Sequence, residues 1–214
     1  MGDPSRVEGM ARYRIRADHA FGVTVTELRG LARRLRPDHE LAAALWSSGV
    51  HEARILASLV DDVTLVTEEQ MDAWVSGLDS WDVCDAVCGN LFDRTPFALD
   101  KAVEWTGREP EFERRAGFAL MACAAVHRKD LPDRAFAALL PTIRASSTDD
   151  RIYVKKAISW ALRQIGKRSA GLNAGAIRTA EQIGRIDARA SRWVARDALR
   201  ELRSDAMQSR LEAG

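Results

Sequence analysis

The sequence predicts an all-α protein built as a superhelical array of antiparallel helix pairs. Apolar residues recur at spacings of three and four within segments of roughly 10 to 18 residues, the period and length of packed helices. No segment shows a convincing strand pattern. The predicted helices group into pairs with a period of roughly 30 to 40 residues, which is typical of helical repeat arrays. These pairs cover residues 38–62, 67–92, 95–128, 131–168 and 173–203.

Residue types favoured at helix ends mark several of these boundaries. Thr24 with Glu27 and Thr67 with Gln70 both fit the capping box, in which two side chains satisfy free backbone amides reciprocally. Further boundaries are predicted from a Thr-Pro pair and from glycines: a helix start at Thr95 and helix ends at Gly49 and Gly171. We expect one domain over residues 1–214 with one concave surface, and poor order in the polar residues 1–20.

The composition is that of a soluble, folded protein. Of 214 residues, 46% are hydrophobic and 29% are charged, which is enough apolar material for a large core. The stretch MGDPSRVEGMARYRIR has no apolar run of signal-peptide length, so we expect a cytoplasmic protein without membrane insertion. Cys84, Cys88 and Cys123 include no CxxC pair and are expected to be buried thiols, not disulfides or zinc ligands.

Charge is distributed unevenly along the chain. Residues 61–100 contain ten acidic residues and one basic residue, whereas residues 151–214 contain fourteen basic and six acidic residues. A region with such an excess of positive charge attracts polyanions even when the whole molecule is nearly neutral.

A tryptophan and an aspartate lie one helical turn apart in the stretch SWDVCD. Trp81 and Asp85 are four residues apart and are therefore neighbours on a helix. Asp85 is the only charge in the stripe that they form with Cys88 and Phe92. Such an acid either caps or pairs with a neighbouring element, or is a carboxylate held beside an aromatic wall in a cleft.

The stretch DDRIYVKKAISWALRQIGKR places a second tryptophan among cations. Lys156, Trp160, Arg163 and Lys167 share one helix face, opposite an apolar stripe. An aromatic ring in a cationic stripe is typical of a surface that follows a phosphate backbone and touches sugar or base. Alternatively, Trp160 packs against the next helix and the lysine stems surround it.

Two arginines begin the helix predicted from EFERRAGFALMACAAVH. Arg114 and Arg115 lie in its first turns, where a cation is unfavourable for the helix dipole. Either Glu111 and Glu113 pair with them locally or a phosphate does, and the sequence favours the local pairing.

Several catalytic motifs are excluded. The stretch HEARI, beginning at His51, has Ile55 where a zinc protease motif needs its second histidine. The stretch IGKRS has Arg168 where a phosphate-binding loop needs Ser or Thr, and GxSxG and GxGxxG are missing. The sequence therefore supports no metal, nucleotide-dependent or serine-hydrolase chemistry.

Five segments together resemble the AlkD-like alkylpurine DNA glycosylases, a bacterial family of HEAT-like repeat proteins of DNA alkylation repair. In chain order they are FGVTVTELRGLARRL, LWSSGVHEARILASLVDD, SWDVCD, ERRAGFALMA and VKKAISWALRQIGKR. The family's cleft has an aspartate four residues after a tryptophan, an arginine before small residues, and a second tryptophan in a KKAIxWALR-type segment. By motif match, these positions are Trp81, Asp85, Arg115 and Trp160. Arg114 is the competing candidate for the arginine, but the stretch RAG that begins at Arg115 fits the family pattern better.

The resemblance implies a HEAT-like array with a concave DNA-binding face and a monofunctional glycosylase that removes cationic N3- or N7-alkylated purines from duplex DNA. Asp85 would stabilise the oxocarbenium-like transition state, Trp81 and Trp160 would contact the sugar, and Arg115 would hold a phosphate. No metal and no organic cofactor is implied, and we expect a monomer. The cations expected to contact backbone phosphates are Lys155, Lys156, Arg163, Lys167, Arg168 and Arg196.

Two other functions stay open at this point. The basic C-terminal third is compatible with a non-catalytic HEAT-like repeat protein that binds damaged or branched DNA. Helical repeats also bind proteins through their concave faces, so a protein-interaction scaffold is the third alternative.

Overall fold

A computed structural model describes residues 2–13, 15–16, 18–35 and 37–212. Throughout these ranges the regular secondary structure is helical and no strand occurs, which confirms the all-α prediction. The chain forms two compact units, unit 1 up to Thr95 and unit 2 from Pro96 onward. The single domain expected over residues 1–214 stays a prediction.

Unit 1 begins with the segment that the sequence predicts to be poorly ordered. Pro4–Met10 forms a short helix, α1, and Ala11–Tyr13 forms a 3-10 turn. The predicted disorder also falls on Met1, Arg14 and Ala17, which lie outside the described residues. The remaining helices of unit 1 are α2 (Val25–Ala32), α3 (His39–Ser47), α4 (His51–Val60), α5 (Glu68–Ser76), α6 (Trp81–Asn90) and a 3-10 turn at Phe92–Arg94.

Local capping signals account for two helix starts in unit 1. The Thr24 hydroxyl accepts from the amide of Glu27, and the Glu27 carboxylate accepts from the amide of Thr24, so the predicted capping box is confirmed. At α5 only half of the box forms. The Thr67 hydroxyl accepts from the Gln70 amide, whereas the Gln70 side chain donates to Asp61 at 2.6 Å.

Two other predicted boundaries have different outcomes. Gly49 follows the end of α3 with φ of 70°, the left-handed conformation that ends many helices, as predicted. The start expected at Thr95 is wrong. The Thr95 hydroxyl donates to the Phe92 carbonyl at 2.8 Å and closes a 3-10 turn, and the next helix begins at Ala98.

The helices of unit 2 vary in length from 5 to 17 residues. They are α7 (Ala98–Trp105), α8 (Glu111–His127), α9 (Asp133–Ala137), α10 (Leu140–Ala145), α11 (Ile152–Gly166), α12 (Ala170–Gly184), α13 (Arg189–Leu202) and α14 (Asp205–Glu212). Gly171 lies inside α12, so the helix end predicted there is wrong. Ser169 caps this helix instead, and its hydroxyl accepts from the amide of Leu172.

Glycine permits the closest helix contacts in unit 2. A Cβ at Gly117 of α8 would lie 2.7 Å from the Ala102 carbonyl oxygen of α7. A Cβ at Gly166 of α11 would lie 2.6 Å from a methyl group of Leu202 on α13. Helix α8 is therefore buried along most of its length, and α11 and α13 are held close enough for their polar side chains to meet.

The cysteines and the character of the helices complete the description of the fold. Cys84, Cys88 and Cys123 are buried thiols, as predicted. Among the described helices, none combines the length and the apolar character needed to cross a bilayer.

Candidate functional site

The first two turns of α6 carry the first tryptophan and the acid singled out by the sequence. Val83 and Val87 on one face of α6 are 1% and 0% exposed, as expected of a core stripe. In the second stripe, Cys88 is fully buried, but Trp81 and Asp85 are both half-buried. The carboxylate therefore lies one turn from an indole, at the accessible end of an otherwise buried stripe.

The indole of Trp81 is held by the N-terminal segment. Its Nε1 donates to the main-chain carbonyl of Tyr13 at 3.0 Å. A hydrogen bond to backbone restricts rotation of the ring, so the indole of Trp81 has a defined orientation.

A buried histidine lies next to this turn. The Nε2 atom of His51 lies 2.9 Å from Oδ2 of Asp82, and the Ser80 hydroxyl donates to the other carboxylate oxygen. Burial alone would lower the pKa of His51, but the hydrogen bond and charge of Asp82 outweigh it and raise that pKa. Burial alone would raise the pKa of Asp82, but His51 and Ser80 hold it below its ordinary value.

In unit 2, the two arginines at the start of α8, Arg114 and Arg115, have different partners. Arg114 donates to the Arg108 carbonyl at 2.8 Å and pairs with Asp149 at 3.2 Å. It also lies 3.7 Å from Glu109, whereas Glu113 pairs with Arg108. The pairing of Arg114 with Glu111 or Glu113 favoured by the sequence is therefore wrong, and Arg114 braces the loop before α8.

Arg115 links α8 to α11. Its side chain is almost fully buried, and NH1 donates to the Tyr153 carbonyl at 2.7 Å. Helix α11 also carries Trp160, which is half-buried and lies one helical turn after the exposed Lys156. Unit 2 therefore joins the helix of the candidate arginine to the helix of the second tryptophan.

Two cations of the α11 stripe are neutralised within unit 2. Arg163 and Lys167 both pair with Glu201 of α13, and Arg163 also lies 3.6 Å from Asp197. Burial alone would raise the pKa of Glu201, but the hydrogen bonds from Lys167 and Arg163 lower it. These two cations are consequently poor sources of net positive charge.

The side chain of Arg168 is buried and bonded to main-chain carbonyl groups. Its guanidinium donates to three main-chain carbonyl oxygens near and beyond the C-terminal end of α8, at distances of 2.8 to 3.2 Å. Its side chain is 7% exposed and lies 3.9 Å from the ring centroid of Phe136. A cation in this position satisfies carbonyls that the helix leaves without partners. We therefore exclude Arg168 from the phosphate contacts proposed below.

Unlike Arg163, Lys167 and Arg168, the cations Lys156 and Arg196 are open to solvent. Both are exposed, and within the described part of the chain neither has an ion-pair partner. Lys155 lies 5.8 Å from the ring centroid of Trp193, an aromatic residue of α13 that sequence reasoning missed.

Sequence reasoning also missed most of a row of arginines along α13. Five exposed arginines at spacings of three and four share one face of this helix, and we call them the arginine row. The row consists of Arg189, Arg192, Arg196, Arg200 and Arg203, the last of which is the C-cap residue of α13. Three of these arginines form ion pairs: Arg192 with Asp187 at 2.8 Å, Arg200 with Asp197 at 2.6 Å, and Arg203 with Glu181. The helical spacing itself was the signal that could have identified the row.

The candidate residues are thus divided between the units. Unit 1 brings together Trp81 and Asp85, and unit 2 connects the helices of Arg115 and Trp160. Convergence of all four on one groove stays a prediction. Within the described ranges, no group of three or more His, Cys, Asp or Glu side chains is placed to hold a metal ion.

These features define a helical-repeat protein with an accessible acid-indole turn and a basic C-terminal unit. The sequence matches the family model described as DNA alkylation repair enzyme over residues 1–202, and the chain belongs to this family. The resemblance identified from the motifs is thereby confirmed.

The structure is similar to a solved structure of a protein from a family related to the HEAT-like repeat DNA glycosylases, with affinity for branched DNA structures. The TM-score is 0.77 at 20% identity, and the match covers 94% of this chain and 91% of that chain. The fold is therefore the HEAT-like repeat fold, as predicted. No match was found among curated protein sequences.

Proposed function

We propose that this chain is a monofunctional DNA glycosylase that hydrolyses the N-glycosidic bond of cationic N3- or N7-alkylated purines in duplex DNA. The observation that carries the proposal is the half-buried carboxylate of Asp85, one turn from the oriented indole of Trp81. Membership of the DNA alkylation repair family supports it.

The chemistry requires an anion near the sugar. An alkylated purine leaves as a neutral base, and positive charge moves onto the deoxyribose in an oxocarbenium-like transition state. A fixed carboxylate beside C1′ stabilises that charge, as carboxylates do in sugar hydrolysis. We assign this role to Asp85, together with positioning of the attacking water.

The aromatic residues and Arg115 have supporting roles in this proposal. The ring faces of Trp81 and Trp160 contact the sugar, favour its positive charge and exclude water, which leaves the carboxylate less screened. Arg115, like Arg168, is almost fully buried and donates to a main-chain carbonyl, so we assign it to holding α8 against α11, the helix of Trp160, and not to the phosphate contact that the resemblance implies.

We assign backbone contacts to Lys155, Lys156 and Arg196. Lys156 and Arg196 are exposed, and the neighbour of Lys155 is the aromatic ring of Trp193 and not an acid. The positive charge of all three is therefore available to phosphates. These contacts supply affinity and are not needed for the bond cleavage itself.

The test is release of 7-methylguanine from a methylated duplex. Wild type should release the base, and Asp85→Asn should release it far more slowly, with unchanged affinity for the same duplex. Asp62→Asn is the matched control, because Asp62 is a carboxylate of unit 1 in the turn after α4. Equal release by wild type and Asp85→Asn would overturn the assignment.

A second candidate is a non-catalytic DNA-binding protein. The arginine row favours it, since Arg189 and Arg196, its exposed members without an acidic partner in the described structure, would bind a backbone whether or not a base is excised. The similar solved structure comes from proteins with affinity for branched DNA. Strongly salt-dependent binding of duplex or branched DNA, with no release of any alkylated base, would select this candidate.

A further inference from the structure

We infer that His51 is a positioning residue for the first turn of α6, and that it fixes Trp81 and Asp85 through Asp82. The inference rests on the proposed function for its catalytic consequence, and on unit 1 alone for its geometry. It also gives a role to the stretch HEARI, which does not form a zinc motif.

The first turn of α6 lacks an ordinary cap. Ser80 is its N-cap residue, but the hydroxyl makes no capping hydrogen bond to a backbone amide. It donates instead to the carboxylate of Asp82. The hydroxyl group that usually holds the first turn of a helix is therefore used to hold a side chain.

Asp82 connects that turn to α4. Its second oxygen lies 2.9 Å from His51 Nε2, and His51 is the first residue of α4 with a side chain only 7% exposed. Successive residues of a helix differ by about 100° around its axis, so fixing Asp82 also fixes the directions of its neighbours. Trp81 precedes Asp82, and Asp85 follows it by one turn.

His51 is itself held firmly. Its amide donates to the His19 carbonyl at 2.8 Å. The next residue, Glu52, is 4% exposed and accepts from the amides of Phe21, Gly22 and Val23 at 2.7 to 3.2 Å. The start of α4 therefore ties the N-terminal segment and α6 together, and that same segment accepts the indole N–H of Trp81 through Tyr13.

Charge gives the link a second effect. Asp82 places a negative charge one turn from Asp85, and a protonated His51 offsets it. The other charged groups around His51 are Asp79 before α6, Glu52 and Arg54 on α4, and Arg16, Asp18 and His19 before α2. Most of them line one cavity of about 140 Å³ with His51. The acidic groups among them favour the protonated ring.

His39 provides a matched control. Its Nδ1 lies 2.7 Å from Asp61, so it also forms a His–Asp pair in unit 1. That pair joins the start of α3 to the end of α4 and does not involve α6. Removal of either histidine ring deletes the same type of interaction, but only the removal of His51 frees α6.

The catalytic part of the experiment compares single-turnover release of 7-methylguanine at saturating enzyme. His51→Ala should lower the rate by about 10- to 100-fold, the size of effect expected when a reacting group is misplaced by about 1 Å. His51→Gln should restore most of the rate, because its amide can still donate to Asp82. His39→Ala should match wild type, and equal rates for the two alanine variants would overturn the inference.

The structural part is independent of glycosylase activity. Wild type is labelled with 5-fluorotryptophan, and the ¹⁹F resonance of Trp81 is assigned with Trp81→Phe. His51→Ala should shift that resonance, and His39→Ala should not. In wild type it should also titrate with a pKa above that of an ordinary histidine, and the titration should vanish in His51→Gln.

These two parts separate the possible failures. If wild type releases no base, the proposed function fails, and the Trp81 resonance still decides whether His51 positions α6. If His51→Ala does not fold, the wild-type titration decides in its place. A Trp81 resonance that does not respond to His51 ionisation would overturn the inference.

Discussion

The first turn of α6 and the basic surface of unit 2 use charge in opposite ways. Around α6, Asp82 is paired with a buried His51, while Asp85 lies half-buried beside an indole. On α11 and α13, some cations are neutralised and others, such as Lys156, remain exposed without an acidic partner in the described structure. The difference teaches that a charge count does not identify the charges available to a ligand. Partners do.

The largest effect is expected at Asp85. Asparagine keeps the size of the side chain but removes the charge that stabilises the transition state, so base release should fall by about 10²- to 10³-fold. Affinity for the alkylated duplex should stay within about twofold, because the contact to the developing charge is made only in the transition state. Single-turnover kinetics and fluorescence anisotropy measure the two quantities. A parallel loss of rate and affinity would contradict the division of roles between the units.

Charge removal on α11 sharpens the comparison within unit 2. Lys156→Met should weaken duplex binding several-fold and reduce the slope of log K against log salt by about 0.9, the effect of one lost phosphate contact. Lys167→Met is the matched control on the same helix, since Lys167 already pairs with Glu201. It should leave the slope unchanged. Equal changes in slope for both variants would show that an ion pair with an acid does not decide whether a lysine can bind a phosphate.

Arg168 distinguishes structural from ligand-binding cations. Arg168→Met should lower the free energy of unfolding by about 2 to 3 kcal/mol, because buried carbonyl oxygens at the end of α8 lose their donors. The salt dependence of DNA binding by the folded variant should match that of wild type. Urea unfolding monitored by circular dichroism measures the stability. Wild-type stability with a reduced salt slope would reverse the assignment.

The smallest effect is a pH dependence of stability from the His51–Asp82 pair. The pKa of His51 is raised, so its contribution is complete below the ordinary histidine pKa of about 6.5 and is lost as pH rises through the raised value. The pKa of Asp82 is lowered, so its contribution is complete above the ordinary aspartate pKa and is lost as pH falls through the lowered value. Stability from this pair should therefore be greatest at mildly acidic pH.

Urea unfolding of wild type and His51→Gln between pH 5 and pH 9 tests this prediction. The difference between the two proteins should be largest near the acidic end of this range and should shrink toward pH 9. A difference that grows with pH would show that neutral His51 is the stabilising form.

Interactions between neighbours in sequence were predictable. The capping box of Thr24 and Glu27 spans three residues, and the juxtaposition of Trp81 and Asp85 follows from helical spacing alone. The fold class was predictable for the same reason, since the apolar period is a local property.

Interactions between residues distant in sequence were not. Arg168 meets the Ala125 carbonyl 43 residues earlier, and His51 meets Asp82 31 residues later. No spacing rule connects such pairs. From the sequence, Arg168 was therefore predicted to contact phosphate, and no role was predicted for His51 beyond the exclusion of a zinc motif. Thr95 shows the same limit on a smaller scale, because its hydroxyl bonds backward to Phe92 instead of capping forward.

The most direct test of the central claim, that Asp85 supplies the chemistry and exposed cations of unit 2 supply the affinity, is a paired measurement on two variants. Release rate at saturating enzyme and the salt dependence of binding are measured for Asp85→Asn and for Lys156→Met combined with Arg196→Met. We predict that the first variant loses the rate and keeps the salt slope, and that the second keeps the rate and loses a slope of about 1.8. Undiminished release by Asp85→Asn, or a rate lost in the double variant at saturation, would contradict the claim.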